Sequence, residues 1–147
     1  MRLKNVFVLL FVGLLVACSD NNLAFLDGDK KNINEFGGQW LLINYWAAWC
    51  KPCLTEIPEL NEFNSRPDVE VLAFNYDRLD EVTLRQQIIK FDIHYRSLSD
   101  DPAILFQQPK PTGLPATMVV SPKGEFIEWL YGAQNKASLT EAFNKHR

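Results

Sequence analysis

Trp46-Ala47-Ala48-Trp49-Cys50-Lys51-Pro52-Cys53 is the stretch whose reading decides the fold. It lies where a strongly apolar run, Trp40 to Trp49, gives way to a helical pattern, Cys53 to Phe63. A helix N-terminus carries partial positive charge and unsatisfied N–H groups, so a first cysteine placed there is favoured as thiolate. Three residues of separation bring the second sulfur within disulfide reach of the first on one helical turn. The pair is therefore a candidate for thiol–disulfide exchange. The bland readings are a structural disulfide or half of a zinc site. A disulfide closing so small a loop constrains the unfolded chain little. Structural zinc needs about four ligands, and the remaining histidines, His94 and His146, stand at no useful spacing. No metal and no bound cofactor is expected beyond a redox-active Cys50–Cys53 disulfide.

Working outward, the chain of 147 residues is sized for one domain. Its 47% apolar and 22% charged residues describe an ordinary globular protein. Its net charge is -3, and without Arg2 and Lys4 it is -5, which excludes the basic footprint of a nucleic-acid binder. Those two basic residues precede an unbroken apolar run, Val6 to Ala17, too short to cross a bilayer comfortably but suited to a secretory signal. The run ends in Leu15-Val16-Ala17-Cys18, which resembles the lipobox of bacterial lipoproteins, where the cysteine is acylated and becomes the first mature residue. An uncleaved short anchor and an ordinary cleavage site are the alternatives. Lipidation of Cys18 would also account for the odd third cysteine in an exported chain. The expected division is a signal peptide over 1–17, a lipidated tether over 18–24 and a folded domain over 25–147. The expected location is the periplasm, lipid-anchored to a membrane. Ser19 lacks the aspartate that favours inner-membrane retention in enteric bacteria, so the outer membrane is favoured.

Within the domain, Ala24 to Leu26 reads as a brief edge strand, Asn32 to Phe36 as a helical turn and Leu41 to Trp46 as a buried strand. The spacing predicts a helix over Cys53 to Asn64, with Cys53, Glu56, Ile57 and Leu60 on one face and Pro58 kinking it. Val69 to Asn75 is a second strand, and Asp80 caps a helix reaching Phe91. A short strand over Tyr95 to Leu98 follows, then a helix from Asp101-Pro102 to about Gln107. Pro109 to Pro115 is a loop. Ala116 to Ser121 and Glu125 to Tyr131 form an antiparallel hairpin. Ser138-Leu139-Thr140-Glu141 is read as a capping box opening the last helix.

That order, with Gly113-Leu114-Pro115-Ala116-Thr117 before the hairpin, resembles the thioredoxin fold. Leu42 to Cys53, Glu56 and Pro58 make it similar to the TlpA/ResA-like group of membrane-anchored or secreted thiol–disulfide oxidoreductases. The resemblance implies an α/β, three-layer fold with a mixed central sheet and an extra helix and strand, here Glu81 to Leu98. By the resemblance and the helix-terminus argument, Cys50 is the exposed nucleophile and Cys53 the more buried resolving thiol. Glu56 falls on the inward face, where a desolvated carboxyl could take the Cys53 proton, the role its counterpart has in the group. A solvated surface glutamate is its bland reading. Where thioredoxin itself has an aspartate this chain has Asn44, which cannot titrate. Pro115 matches the family's cis-proline, which leaves the Leu114 backbone to pair with an extended substrate; a trans proline in a proline-rich loop is the alternative. Trp49, Lys51, Pro52 and Leu114 are placed to meet the substrate, with Trp46 and Trp49 packing around the site.

The expected function is reduction of protein disulfides, apocytochrome c among the candidate substrates. Electrons would come from a membrane thiol donor of the DsbD or CcdA kind, and a monomer is expected. Lys51-Pro52 lacks the histidine of strongly oxidising relatives, which argues for a reductant. The competitors are a disulfide-forming oxidant and a non-catalytic binding or metal-handling module. A peroxiredoxin would carry a hydroxyl residue where this chain has Ala47, and a copper-delivery site would space its cysteines one residue further apart.

Overall fold

A computed structural model describes residues 21–146. The signal segment 1–17, Cys18 and the start of the tether lie outside the described residues. The fold is built on strand β3, Trp40–Trp46, all seven residues of which are buried. A continuous apolar run of this kind is what a strand covered on both faces requires. β4, Val69–Asn75, runs parallel to β3, and β5, Arg96–Ser97, runs parallel to β4. On the other flank β6, Ala116–Val120, is antiparallel to β3, and β7, Phe126–Tyr131, antiparallel to β6. The sheet is thus mixed, in the order β5-β4-β3-β6-β7.

Strand alternation sorts the side chains into two cores. Trp40, Leu42 and Trp46 of β3 join Val71, Ala73 and Val119 on one face. That face is covered by α1, Lys51–Phe63, α2, Glu81–Lys90, and α4, Lys136–Lys145, through Ile57, Leu60, Phe63, Leu84, Leu139 and Phe143. Leu41, Ile43 and Tyr45 face the opposite way, with Leu72, Phe74, Met118 and Val120. There the cover is α3, Pro102–Leu105, a 3-10 turn, Ile33–Phe36, and the N-terminal segment. The three layers and mixed sheet expected from the sequence are present. Among the described residues no helix is long and apolar enough to cross a membrane.

Several boundaries differ from expectation. Asn22–Ala24, assigned to the tether, is strand β1, paired with β2, Lys30–Asn32, in a small sheet of its own. The edge strand expected over Ala24 to Leu26 thus begins two residues early, and Phe25 keeps a single bridge to Leu98. Leu23 and Phe25 are buried, and that burial is what holds an otherwise polar segment to the domain. α1 starts at Lys51, not Cys53, because Cys50 serves as its N-cap and proline is tolerated in a first turn whose N–H groups lack intrahelical partners anyway. α4 likewise starts earlier: Asn135 is the cap and Ser138 its reciprocal partner, so Ser138 closes the capping box instead of opening it.

Candidate active site

β3 delivers its last residue, Trp46, to a turn in which Cys50 N–H donates to Ala47 O, and the chain enters α1 at once. Cys50 and Cys53 are joined by a disulfide across the first turn. The Cys53 N–H donates to Cys50 Sγ at 3.3 Å, so a free N–H of the helix start is aimed at the first sulfur. Cys50 is the less covered of the two, yet only 4% exposed, so the expectation of an exposed nucleophile is corrected for this disulfide form. Its side chain folds back onto the first turn of α1 and packs in the core beneath it. Lys51 and Pro52 are exposed beside it.

Trp49 does not pack around the site as expected; it is 65% exposed. Its indole N–H donates to the Asp77 carboxylate at 3.0 and 3.1 Å, which holds the ring over the turn after β4 and leaves its face to solvent. Trp46 is fully buried and meets Phe91 edge-on. The Leu114–Pro115 bond is cis. Pro115 is buried and Leu114 half-buried against both cores. Ala116 pairs with Tyr45, so Pro115 sits at the end of the sheet from which β3 runs to Cys50.

One turn along α1, Glu56 is 1% exposed, which discards the surface reading. Asn44 Nδ2 donates to Glu56 Oε1 at 2.6 Å, and the Gln134 N–H donates to Oε2 at 2.8 Å. Burial pushes this carboxyl up to about 7, against the pull of those two donors. Asn44 and Thr117 stand directly opposite each other on β3 and β6, facing α1. Thr117 Oγ1 accepts from Asn44 Nδ2, and the Tyr95 hydroxyl donates to Asn44 Oδ1, both at 3.5 Å. Burial and the Glu56 charge raise the Tyr95 phenol far above its usual range. The arrangement places a buried carboxyl on the same helical face as Cys53. Asn44, Thr117, Tyr95 and Gln134 were not read as site residues from the sequence. The two polar positions interrupting apolar strands were the available signal; the Gln134 backbone contact, 78 residues from Glu56, had none.

His94 is exposed beside Asp92. Among the described residues no three His, Cys, Asp or Glu side chains gather as a metal site. Two surface cavities of about 380 and 370 Å³ share Arg78 and Ser99, and neither cysteine lines them.

The sequence profile of the AhpC/TSA family matches residues 17–128. The thiol-disulfide oxidoreductase ResA of Bacillus thuringiensis subsp. konkukian is 27% identical over 123 residues, covering 82% of this chain and 70% of that protein. StoA from Bacillus subtilis superposes with a TM-score of 0.64 at 19% identity, over 82% of this chain and 92% of that one. The pneumococcal exposed lipoprotein thioredoxin Etrx1 from Streptococcus pneumoniae gives 0.68 at 18% identity, over 84% and 97%. At such identities the structural likeness speaks for the fold alone, and that fold is thioredoxin-like.

Proposed function

Because the chain belongs to the AhpC/TSA family, and within it is a TlpA/ResA-like thiol–disulfide oxidoreductase acting on proteins, we propose that it is a periplasm-facing, lipid-anchored reductant. One observation carries the mechanistic reading: α1 bears the Cys50–Cys53 pair on its first turn and a buried carboxyl, Glu56, on the next. In the reduced protein the Cys50 thiolate attacks a substrate disulfide. The substrate S–S bond breaks, a Cys50–substrate bond forms, and the leaving sulfur takes a proton. Cys53 passes its proton to Glu56 and attacks Cys50 Sγ, releasing the second substrate thiol and closing Cys50–Cys53. Two electrons have moved to the substrate, and a membrane thiol donor of the DsbD or CcdA kind restores the dithiol. Trp49, Lys51, Pro52 and the Leu114–Pro115 backbone form the contact surface for an extended substrate, apocytochrome c being one that fits.

The reducing direction is supported by the lack of a histidine between the cysteines. Its reduction potential is expected nearer the about −270 mV of thioredoxin than the about −120 mV of strong periplasmic oxidants. The anchor is supported by the lipobox-like Leu15 to Cys18. Ala47, in place of a hydroxyl residue, speaks against peroxide chemistry. Insulin reduction tests the core of the proposal: Cys50→Ser should fall to the uncatalysed rate, and Cys53→Ala should accumulate mixed disulfides with its substrates. Equal turnover by wild type and Cys50→Ser would remove the enzymatic reading. For location, Cys18→Ala should move the protein from the membrane to the soluble fraction. Separation of the two membranes then decides between outer and inner.

A further inference from the structure

Glu56 faces donors on both oxygens: an amide NH2 from Asn44 and a backbone N–H from Gln134. That cradle suits a carboxylate. A carboxylic acid in the same place would aim its own O–H at a donor, so a Glu56 that takes a proton needs a neighbour able to change from donor to acceptor. Gln134 cannot, since a backbone N–H only donates. Its fixed bond therefore keeps Oε2 as the accepting oxygen and leaves Oε1 to carry the proton.

Asn44 can. It is fully buried, and its amide offers N–H2 on one side and C=O on the other. We propose that Asn44 is the positioning residue that lets Glu56 gain and lose a proton in place, presenting Nδ2 to the carboxylate and turning over to present Oδ1 to the acid. Its other neighbours are hydroxyls, which serve either orientation. With the carboxylate, Thr117 Oγ1 accepts from Nδ2 and the Tyr95 O–H donates to Oδ1. After turnover, the Thr117 O–H donates to Oδ1 and the Tyr95 oxygen accepts from Nδ2. The other polar groups on the elements around Glu56 do not compete. Glu59 and Glu62, one and two turns on along α1, are taken up by the Lys136 N–H and Nζ at the helix surface. The cysteines supply the proton and otherwise form the disulfide.

The inference rests on Glu56 being the acceptor for Cys53. In that step the Cys53 S–H bond breaks, the Glu56 Oε1–H bond forms and the sulfur pair attacks Cys50; the substrate disulfide is the oxidant. The test uses the isotopically labelled protein in its disulfide form, where neither cysteine of the pair titrates. Across pH 5–9 the Glu56 carboxyl carbon and the Asn44 side-chain N–H2 resonances should move with one midpoint. Asn44→Leu removes both the charge-assisted bond to the carboxylate and the weaker bond from the acid, so the Glu56 midpoint should rise by the difference, about one pH unit. The pH dependence of insulin reduction should rise with it. A purely structural role for Asn44 would lower the rate at every pH and leave the midpoint in place. Asn44 resonances that stay flat through the Glu56 midpoint, or an unmoved midpoint in Asn44→Leu, would overturn the proposal. Should that variant not fold, the wild-type titration decides alone. If the wild type failed to reduce insulin while Glu56 and Asn44 still titrated together, the functional reading would fall and the coupling would stand.

Discussion

At Glu56, burial outweighs the two hydrogen-bond donors and lifts the carboxyl to about 7. The folded protein therefore holds this proton more tightly than the unfolded chain, whose carboxyl titrates near 4.5. Stability from this group is full below about pH 4.5, falls as pH rises towards 7 and is flat above. The loss is on the order of 3 kcal/mol at most. Denaturant unfolding of the disulfide form at pH 5 and pH 8 should show wild type losing stability over that span, and Glu56→Gln losing less. In activity the sign reverses under the proposed mechanism, in which the ionised form takes the Cys53 proton. Insulin reduction by wild type should climb through pH 7, and Glu56→Gln should lack that limb. Trp49 is a different kind of residue. With its ring in solvent, Trp49→Ala should change stability by no more than about 0.5 kcal/mol. It should raise KM for insulin while leaving a small aromatic disulfide unaffected; equal effects on both substrates would remove Trp49 from the contact surface.

α1 is held to the start of α4 and to Gln134 just before it by three acids spaced three residues apart. Glu56 accepts from Gln134 N–H, Glu59 from Lys136 N–H, and Glu62 from Lys136 Nζ. Beneath them Phe143 of α4 stacks on Trp40 at 5.1 Å and meets Phe63 of α1 at 5.5 Å. α4 thus helps fix the helix that carries the redox pair. Phe143→Ala should cost about 3–5 kcal/mol in urea unfolding, the range for deleting a buried aromatic ring. Asn135→Ala should cost about 1 kcal/mol through the lost cap. A cost for Phe143→Ala near that of a surface change would mean α4 is not part of the cooperative unit. Helix periodicity found α1 and a capping-box pattern found α4, but neither gave the first residue. Caps depend on which backbone N–H the side chain meets: Asn135 and Ser138 are both capping types, and it is the Asn135 side chain that meets the Ser138 N–H.

Across the whole molecule, the N-terminal segment closes the β5 edge of the sheet. Ser99 N–H donates to Ala24 O, Leu26 N–H to Ser97 O, and Arg96 grips Asp27 and Asp29 while lying over the Phe25 ring at 3.7 Å. An edge covered in this way is not free to pair with another chain. Phe25→Ala should cost about 3 kcal/mol or more and expose the edge to early hydrogen exchange at Ser99, whose N–H donates to Ala24 O. Protection at Ser99 equal to wild type would contradict this. Locally only the brief strand read over Ala24 to Leu26 announces the segment, because its strands are three residues long and mostly polar. By itself the sequence determined the two long strands, the helix behind the cysteines, the final hairpin and the helical face on which Glu56 lies. Each of these follows from a periodicity or a spacing within about a dozen residues. The cradle around Glu56, the seat of Trp49 on Asp77 and the strand in the tether were decided by the tertiary structure alone. The cradle and the Trp49 seat join groups 12 to 78 residues apart, and the tether strand is held by burial of Leu23 against the domain; whether such groups meet depends on how the sheet stacks against its covering elements, which no local pattern records.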